Sequence, residues 1–208
     1  MTEFTPADSP EVIALVRHGE TDWNSARRIQ GRTEVPLNET GRAQARATGE
    51  LLAALDLSVA WHSVVSSPLG RAHETAAIIA QSLGLTPPAI DHAFIERDFG
   101  PAEGLDVAEA MDRWPGLIIP GAESLDVLAD RTAREFERVL TTAPGSIVVA
   151  HGAMLRAGLA RITNTEVPRI LNGEIWLLRR DSDGVGTGNL ASPFSVRRAR
   201  TTAGLSLA

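Results

Sequence analysis

Short apolar runs alternate along the chain with longer segments in which apolar residues recur every three or four positions. The short runs predict buried strands at residues 12–16, 63–66, 147–150 and 175–178, and a weaker run predicts a final strand near 194–198. The longer segments predict helices at about 39–56, 68–83, 106–114, 124–141 and 153–161. Strands that alternate with helices are typical of a mostly parallel sheet.

Capping residues mark several of these helix boundaries. Asn38 precedes the first helix, Ser67 stands before Pro68 at the start of the second, and Gly84 follows its end. Ser124 is the expected cap of the longest helix. The core positions expected on that helix are Leu125, Leu128, Phe136, Val139 and Leu140.

The alternation predicts an α/β fold, a three-layer sandwich in which a mostly parallel central sheet carries helices on both faces. A stretch rich in proline and glycine at about 99–122 predicts a small lid insertion. We expect a single domain over residues 1–208, with flexible ends at about 1–10 and 201–208 and a polar turn at 181–189.

Composition narrows the classes of function. The 208 residues carry a net charge of -6, every basic side chain apart from histidine is arginine, and cysteine is absent. An acidic chain without a basic stripe argues against nucleic-acid binding, and the missing residue types exclude lysine and cysteine chemistry. The chain shows neither an apolar run of about 18 residues nor a basic and apolar leader, so we expect no membrane association and a cytoplasmic location.

Three junctions that follow predicted strands carry residues suited to phosphate chemistry. Arg17 and His18 follow the first strand, Arg71 falls in the first turn of the helix after the second, and His151 follows a later strand. The carboxyl ends of parallel strands open on one edge of a sheet, where ligands bind. Because a neutral imidazole is a nucleophile and a guanidinium holds phosphate oxygens, the pattern favours a histidine that attacks phosphorus inside a cationic pocket.

Hydrolytic phosphoryl transfer also needs a proton donor for the departing alcohol. Glu96 is the candidate, because its apolar and glycine-containing surroundings would desolvate the carboxyl group and raise its pKa. Spacing alone leaves a second interpretation open, in which Glu96 forms a salt bridge with Arg97 or with another surface arginine.

Six blocks of sequence, in order, point to one family. They are Arg17-His18-Gly19-Glu20-Thr21, Gln30-Gly31 with Pro36-Leu37, Ser66-Ser67-Pro68 with Arg71-Ala72, Glu96 with Phe99-Gly100, Gly121-Ala122-Glu123-Ser124, and Val148-Val149-Ala150-His151-Gly152. With these blocks the chain resembles the histidine phosphatase superfamily in its phosphoglycerate mutase-like branch, and the resemblance covers about residues 12–178. Ala122 is an insertion in the family's Gly-Glu-Ser segment.

The resemblance implies a role for each matching residue. His18 is expected to become phosphohistidine, and Glu96 to protonate the leaving oxygen and then to deprotonate the attacking water. Arg17, Arg71 and His151 are expected to neutralise the phosphoryl oxygens. The other phosphate- or substrate-binding residues implied are Asn24, Gln30, Gly31 and Gly152. No metal ion and no cofactor are implied, because the arginines and a cationic His151 supply the positive charge.

Three functions are compatible with these residues. The first is a phosphatase for a small phosphorylated metabolite, the second is a 2,3-bisphosphoglycerate-dependent phosphoglycerate mutase, and the third is a non-enzymatic phosphate-binding protein. The stretch at 99–120 is short, offers Arg113 as its basic residue and ends in apolar residues, which favours hydrolysis. Trp114 is a candidate contact for the substrate, and an edge strand offers a surface for a homodimer.

Overall fold

A six-stranded sheet forms the centre of the computed structural model, which describes residues 11–55, 60–181 and 192–199. The strands are β1 (Val12–Arg17), β2 (Ser63–Ser66), β3 (Ala89–Ile90), β4 (Ser146–Ala150), β5 (Ile175–Arg180) and β6 (Phe194–Arg198). Their order in the sheet is β3-β2-β4-β1-β5-β6. The predicted flexible ends, and the predicted turn at 181–189 apart from Asp181, lie outside the described residues.

Four neighbouring strands of the sheet are parallel. β1 pairs with β4 in a register that sets Leu15 opposite Val148, and β2 pairs with β4 so that Val65 lies opposite the same residue. β3 runs parallel to β2, whereas β5 and β6 are antiparallel to their inner neighbours. The mostly parallel sheet is confirmed, and the carboxyl ends of β1, β2 and β4 lie at one edge.

Helices cover both faces of the sheet. They are α1 (Asp22–Ser25), α2 (Glu39–Ala54), α3 (Gly70–Leu83), α4 (Val107–Arg113), α5 (Leu125–Thr142) and α6 (Gly152–Thr163). Successive residues of a strand point to opposite faces, so β1 places Leu15 in one hydrophobic cluster and Val16 in another. The first cluster includes Phe136 of α5 and Met154 of α6, and the second includes Ile79 of α3. This is the expected three-layer sandwich.

Most of the capping predictions are confirmed. The Asn38 Oδ1 accepts from the Gly41 N–H at the start of α2, and Ser124 caps α5 in the same way. Gly84 ends α3 with a left-handed φ of 65°, a conformation that favours glycine. Of the predicted core residues on α5, Leu125 is the exception, at 50% exposure. It is exposed because the first turn of α5 faces an open groove, whose wall it shares with Leu117.

The prediction that Ser67 caps the second long helix is wrong. α3 begins at Gly70, and Leu69 stands in the capping position without a side-chain hydrogen bond. The carboxylate of Glu34 accepts instead from the Gly70 N–H, over 3.1 Å to Oε2. An anion at a helix N-terminus replaces the missing cap. The Ser67 Oγ accepts from the Leu69 N–H over 3.3 Å, and its hydrogen remains available for another partner.

The segment at 99–122 contains α4 and two short 3₁₀ turns, at 100–102 and 115–117. It forms a small hydrophobic cluster of its own, in which Phe99, Ala102, Ala110 and Ile119 pack against Ile29. Its role as a lid stays a prediction. No helix in the described part of the chain has the length and the apolar character needed to cross a bilayer.

Candidate active site

His18 lies one residue beyond β1, and its backbone N–H donates to the Ala150 carbonyl of β4 over 3.0 Å. The ring Nδ1 lies 2.7 Å from the Gly19 carbonyl oxygen, so Nδ1 carries the hydrogen and donates it. This tautomer leaves the lone pair of Nε2 free. Burial, reinforced by Arg17 and Arg71, holds the pKa of His18 well below its ordinary range. The imidazole is therefore neutral and nucleophilic at neutral pH.

The backbone around His18 is held by contacts from distant parts of the chain. A Cβ on Gly19 would lie 2.3 Å from the Gly41 carbonyl oxygen, so this close approach of two backbones requires glycine. The Gly19 N–H donates to Thr75 Oγ1 on α3 over 3.0 Å. Asn172 donates from Nδ2 to the His18 carbonyl over 2.9 Å. These contacts fix the position of the ring before any substrate arrives.

Arg17, the last residue of β1, points its guanidinium across the start of α6. Its Nη1 donates to the Ile170 carbonyl over 2.8 Å, and its Nε is buried without a partner among the described residues. A Cβ on Gly152 would lie 3.1 Å from that Nε, so the glycine makes room for the arginine. Burial lowers the pKa of Arg17 to about 10, which still leaves it charged at neutral pH.

Arg71 is the most buried cation of the site, at 1% exposure. Its Nη2 donates to the Gly31 carbonyl over 2.7 Å and its Nη1 to the Thr33 carbonyl over 2.8 Å, while Nε has no partner in the described chain. Gly31 has a φ of +53°, and a Cβ there would collide with Glu103. The bend at this glycine therefore presents its carbonyl to the guanidinium. Burial lowers the pKa of Arg71.

His151 lies beside His18, with ring centroids 5.2 Å apart at an interplanar angle of 60°. Its Nε2 is 2.7 Å from Ser67 Oγ, and its Nδ1 is buried without a partner among the described residues. Burial, followed by the charge of Arg71, holds the pKa of His151 well below its ordinary range. The cationic state expected from the sequence would therefore need the opposing charge of a phosphoryl group. The hydroxyl of Ser67, unused by α3, orients this ring.

Glu96 is buried at the N-terminus of α6. Its Oε1 accepts from the N–H groups of Arg97 and Met154 over 2.8 and 3.0 Å, whereas its Oε2 accepts only from the Ala153 N–H over 3.2 Å. Burial raises the pKa of Glu96 against the opposing effect of these hydrogen bonds. Oε2, which has the larger free hydrogen-bonding capacity, is the oxygen better placed to carry a proton.

The interpretation of Glu96 as half of an ion pair with Arg97 is wrong. The Arg97 guanidinium donates to the carbonyls of Glu123 and Leu117, over 2.8 and 3.0 Å, and stacks on the Phe99 ring at 4.7 Å. These contacts join Arg97 to the segment at 99–122 and to the residue before the cap of α5, and among the described residues the Glu96 carboxyl group forms no ion pair.

Hydrogen bonds donated to their side-chain oxygen atoms orient Asn24 and Gln30. Thr21 caps the short helix α1, and its N–H donates to Asn24 Oδ1 over 3.2 Å, while its hydroxyl donates to Gln30 Oε1 over 3.0 Å. Asn172 also donates to Asn24 Oδ1. Because both amide oxygens are occupied, the NH₂ groups are the free ends of these side chains.

These residues surround a cavity of about 340 Å³ at the carboxyl edge of the parallel strands. The predicted residues on its wall are Arg17, His18, Asn24, Gln30, Gly31, Arg71, Glu96 and Gly152. His151 is fully buried behind this wall beside His18, and Trp114 packs in the cluster of the 99–122 segment instead of lining the cavity. We call Arg17, His18, Arg71 and His151 the phosphoryl cup.

Sequence reasoning assigned no role to two sets of residues. Thr75, Asn172 and Glu103 hold the backbone of the site. Thr75 and Glu103 lie in blocks that match the family, whereas Asn172 had no signal in the sequence. The second set lines the mouth of the cavity and consists of Arg27, Arg28, Arg156 and Arg169, which we call the rim arginines. Among the described residues no group of three or more histidine, aspartate and glutamate side chains is placed to hold a metal ion.

Comparisons with known proteins give one family match and several relatives. The model of the histidine phosphatase superfamily (branch 1) matches residues 13–184. The uncharacterized phosphatase PhoE of Bacillus subtilis is 44% identical over 153 residues, which cover 73% of this chain and 77% of that protein. A metal-independent phosphoserine phosphatase of Arabidopsis thaliana is 40% identical over 179 residues, covering 78% and 74%. A mycobacterial glucosyl-3-phosphoglycerate phosphatase, solved with VO3, matches with a TM-score of 0.69 and 27% identity, covering 80% and 92%.

Proposed function

Because the chain belongs to the histidine phosphatase superfamily, we propose that it hydrolyses a small phosphorylated metabolite through phosphohistidine at His18 Nε2. The observation that carries the proposal is the tautomer of His18. Its Nδ1 donates to the Gly19 carbonyl, so the Nε2 lone pair is available beside two guanidinium groups whose Nε atoms are buried without partners in the described chain. A nucleophile and unused donors thus share one cavity.

In the first step Nε2 attacks phosphorus while the bond from phosphorus to the leaving oxygen breaks. The proton on Glu96 Oε2 moves to that oxygen, so the product leaves as a neutral alcohol. Arg17 and Arg71 stabilise the charge spread over the phosphoryl oxygens, which is the main demand of this transfer. His151 is not among the residues that line the cavity, and its Nδ1, buried and unpartnered in the described chain, is proposed to donate a further hydrogen bond to the phosphoryl group from beside His18.

In the second step a water molecule attacks the phosphohistidine. Glu96 is now a carboxylate and takes a proton from this water as the new phosphorus–oxygen bond forms. The phosphorus–nitrogen bond breaks, its electron pair returns to Nε2, and inorganic phosphate leaves. The enzyme is restored with His18 neutral and Glu96 protonated. All the positive charge that the two steps require comes from the chain's own side chains.

In the family that the chain resembles, the mutase alternative depends on a longer insertion after the proton donor, whose own basic residues hold a doubly charged intermediate. In the 99–122 segment, Arg113 stacks on Trp114 at 4.5 Å and is not on the cavity wall. The segment thus brings no positive charge to the cavity, which favours hydrolysis. Adding 3-phosphoglycerate with and without 2,3-bisphosphoglycerate separates the two reactions, because only a mutase forms 2-phosphoglycerate.

The decisive test compares His18→Ala with the matched variant His92→Ala, which removes an exposed histidine away from the cavity. With p-nitrophenyl phosphate as substrate, His18→Ala should lower kcat by about 10⁴-fold or more, because the nucleophile is lost. Rapid quenching should trap an acid-labile, alkali-stable phosphoenzyme in the wild type and in the control only. Turnover retained by His18→Ala would overturn the mechanism. A wild-type protein that binds phosphate without hydrolysing any ester would support the non-enzymatic alternative.

A further inference from the structure

The rim arginines reach one opening from two separate parts of the chain. Arg27 and Arg28 follow α1, whereas Arg156 lies on α6 and Arg169 on the loop before β5. All four are exposed, and all four line the same cavity as the phosphoryl cup. With Arg17 and Arg71 they make six arginines among the residues that line it, where Glu96 is the one acidic residue among the described residues.

The rim arginines concentrate positive charge at one place in a chain whose net charge is negative. Acidic residues outnumber arginines by 26 to 20. Elsewhere on the described surface arginines pair with carboxylates, as Arg42 does with Glu74 and Arg138 with Asp91. Within the described residues the rim arginines form no such ion pair. Like charges that converge without counter-charges repel one another, and an anionic ligand relieves that repulsion.

Local contacts hold two of the rim arginines in place while leaving donors free. Arg28 donates from Nη1 to the Gly104 carbonyl over 3.0 Å, and Arg156 donates from Nε to the Val167 carbonyl over 3.0 Å. The Arg156 contact uses only Nε, so both terminal nitrogens remain available for a bidentate interaction with a carboxylate or a phosphate.

The backbone of Arg27 adopts an unfavourable conformation. Its φ is 56°, in the left-handed region, which costs a residue with a Cβ about 1 kcal/mol or more. A hydrogen bond of 2.9 Å from the Val107 N–H to the Arg27 carbonyl holds it there. Backbone strain is concentrated at functional sites, so an arginine held in a conformation suited to glycine or asparagine, on the lining of this cavity, is consistent with a functional role.

The phosphoryl group by itself does not account for these charges. Arg17, Arg71 and the two histidines already surround the place where it is transferred. Four additional cations at the mouth lie where the leaving group of the ester would emerge. Resting on the function proposed above, we propose that the substrate is a phosphomonoester whose leaving group carries a second anionic group, a carboxylate or another phosphate, bound by the rim arginines.

The test uses two matched pairs of substrates. 3-Phosphoglycerate and glycerol 3-phosphate share a three-carbon skeleton and differ by a carboxylate in place of a hydroxymethyl group. Propane-1,3-diol bisphosphate and 3-hydroxypropyl phosphate differ by a second phosphate. The proposal expects kcat/KM for phosphate release to be about tenfold or more higher, in at least one pair, for the member that carries the second anionic group, the increment typical of one charge-assisted hydrogen bond. The pair that responds identifies which anion is recognised.

Variants then show whether the rim arginines cause the preference. In Arg156→Gln and Arg169→Gln, the ratio of kcat/KM within the responding pair should fall by about tenfold, because a neutral side chain of similar shape replaces a cation. Arg46→Gln, which removes an exposed arginine from α2 far from the cavity, should leave the ratio unchanged. Raising the ionic strength should narrow the wild-type ratio, because exposed charges are screened.

The outcomes separate this inference from the proposed function. A wild-type enzyme that hydrolyses p-nitrophenyl phosphate through His18 but treats both members of each pair alike keeps the proposed function and overturns the inference. A preference that survives in both rim variants also overturns it. A protein that hydrolyses none of these esters overturns the proposed function and the inference together.

Discussion

The phosphoryl cup and the rim arginines occupy one cavity but are built in opposite ways. In the cup, Arg71 and His18 are almost fully buried, and each hydrogen-bonds to a backbone carbonyl. At the rim, Arg27 and Arg169 are exposed and have no hydrogen-bonding partner for their side chains among the described residues. The difference indicates a division of labour, in which a rigid interior performs the chemistry and a solvated mouth selects the substrate.

Solvation explains why the two regions differ. A buried guanidinium loses its hydration, so the protein must provide acceptors, as the Gly31 and Thr33 carbonyls do for Arg71. An exposed guanidinium keeps its water and needs no acceptor from the protein. Substitutions in the cup should therefore lower the rate for every substrate, whereas rim substitutions should alter the discrimination between substrates.

The largest effect among the following variants is expected for Arg71→Gln. The change removes a positive charge from the phosphoryl cup and weakens the hydrogen bonds to the Gly31 and Thr33 carbonyls. We therefore expect kcat/KM to fall by about 10³-fold for all phosphomonoesters alike. Steady-state assays on both matched substrate pairs measure this uniformity. Arg71→Lys retains the positive charge but lacks the planar guanidinium group that donates two parallel hydrogen bonds, so it should recover only part of the rate. A loss confined to substrates with a second anionic group would mean that Arg71 acts like a rim arginine, and would contradict the division of labour.

Glu96→Gln should have a smaller effect that depends on the leaving group. Without a transferable proton, kcat/KM for alkyl phosphates should drop by about 10²-fold, and for p-nitrophenyl phosphate by clearly less, because its leaving group needs little protonation. Measuring kcat/KM for a series of aryl phosphates whose leaving phenols differ in pKa shows how the loss depends on the leaving group. Equal loss across the series would remove Glu96 from the role of acid.

The same residue sets a pH dependence. Burial raises the pKa of Glu96, so the acid form persists to higher pH than in an ordinary glutamate and is lost as the pH rises through that value. Burial lowers the pKa of His18, so the nucleophile stays neutral as the pH falls. For a substrate with a poor leaving group, kcat/KM of the wild type should therefore decline as the pH rises above the pKa of Glu96. The pH profile of Glu96→Gln should lack this alkaline decline.

Ser67→Ala should produce the smallest change, about five- to tenfold in kcat/KM, because Ser67 acts through the orientation of His151. Inhibition by vanadate, which mimics the transferring group, should weaken by the same factor, while inhibition by phosphate changes less. Ser63→Ala, which removes a hydroxyl from the opposite end of β2, serves as the control. Equal weakening for both inhibitors would indicate that Ser67 only supports the structure.

The cup was largely predictable because its residues have local signatures. Arg17 and His18 follow an apolar strand, His151 follows another, and Arg71 lies in the first turn of a helix. Ser67 shows the limit of such reasoning. Its position before Pro68 favours a helix cap, but Glu34 provides the anion at the start of α3 and the hydroxyl turns to His151. A local preference was overridden by a contact between distant segments.

By itself, the sequence determined the alternation of strands and helices, the family and the candidate nucleophile, because periodicity and junction motifs are properties of neighbouring residues. Only the tertiary structure decided the tautomer of His18, the burial that raises the pKa of Glu96, and the convergence of four arginines on one opening. Each of these depends on the solvent and the partners that folding brings to a side chain, and an exposed arginine carries no mark in the sequence that shows which surface it will face.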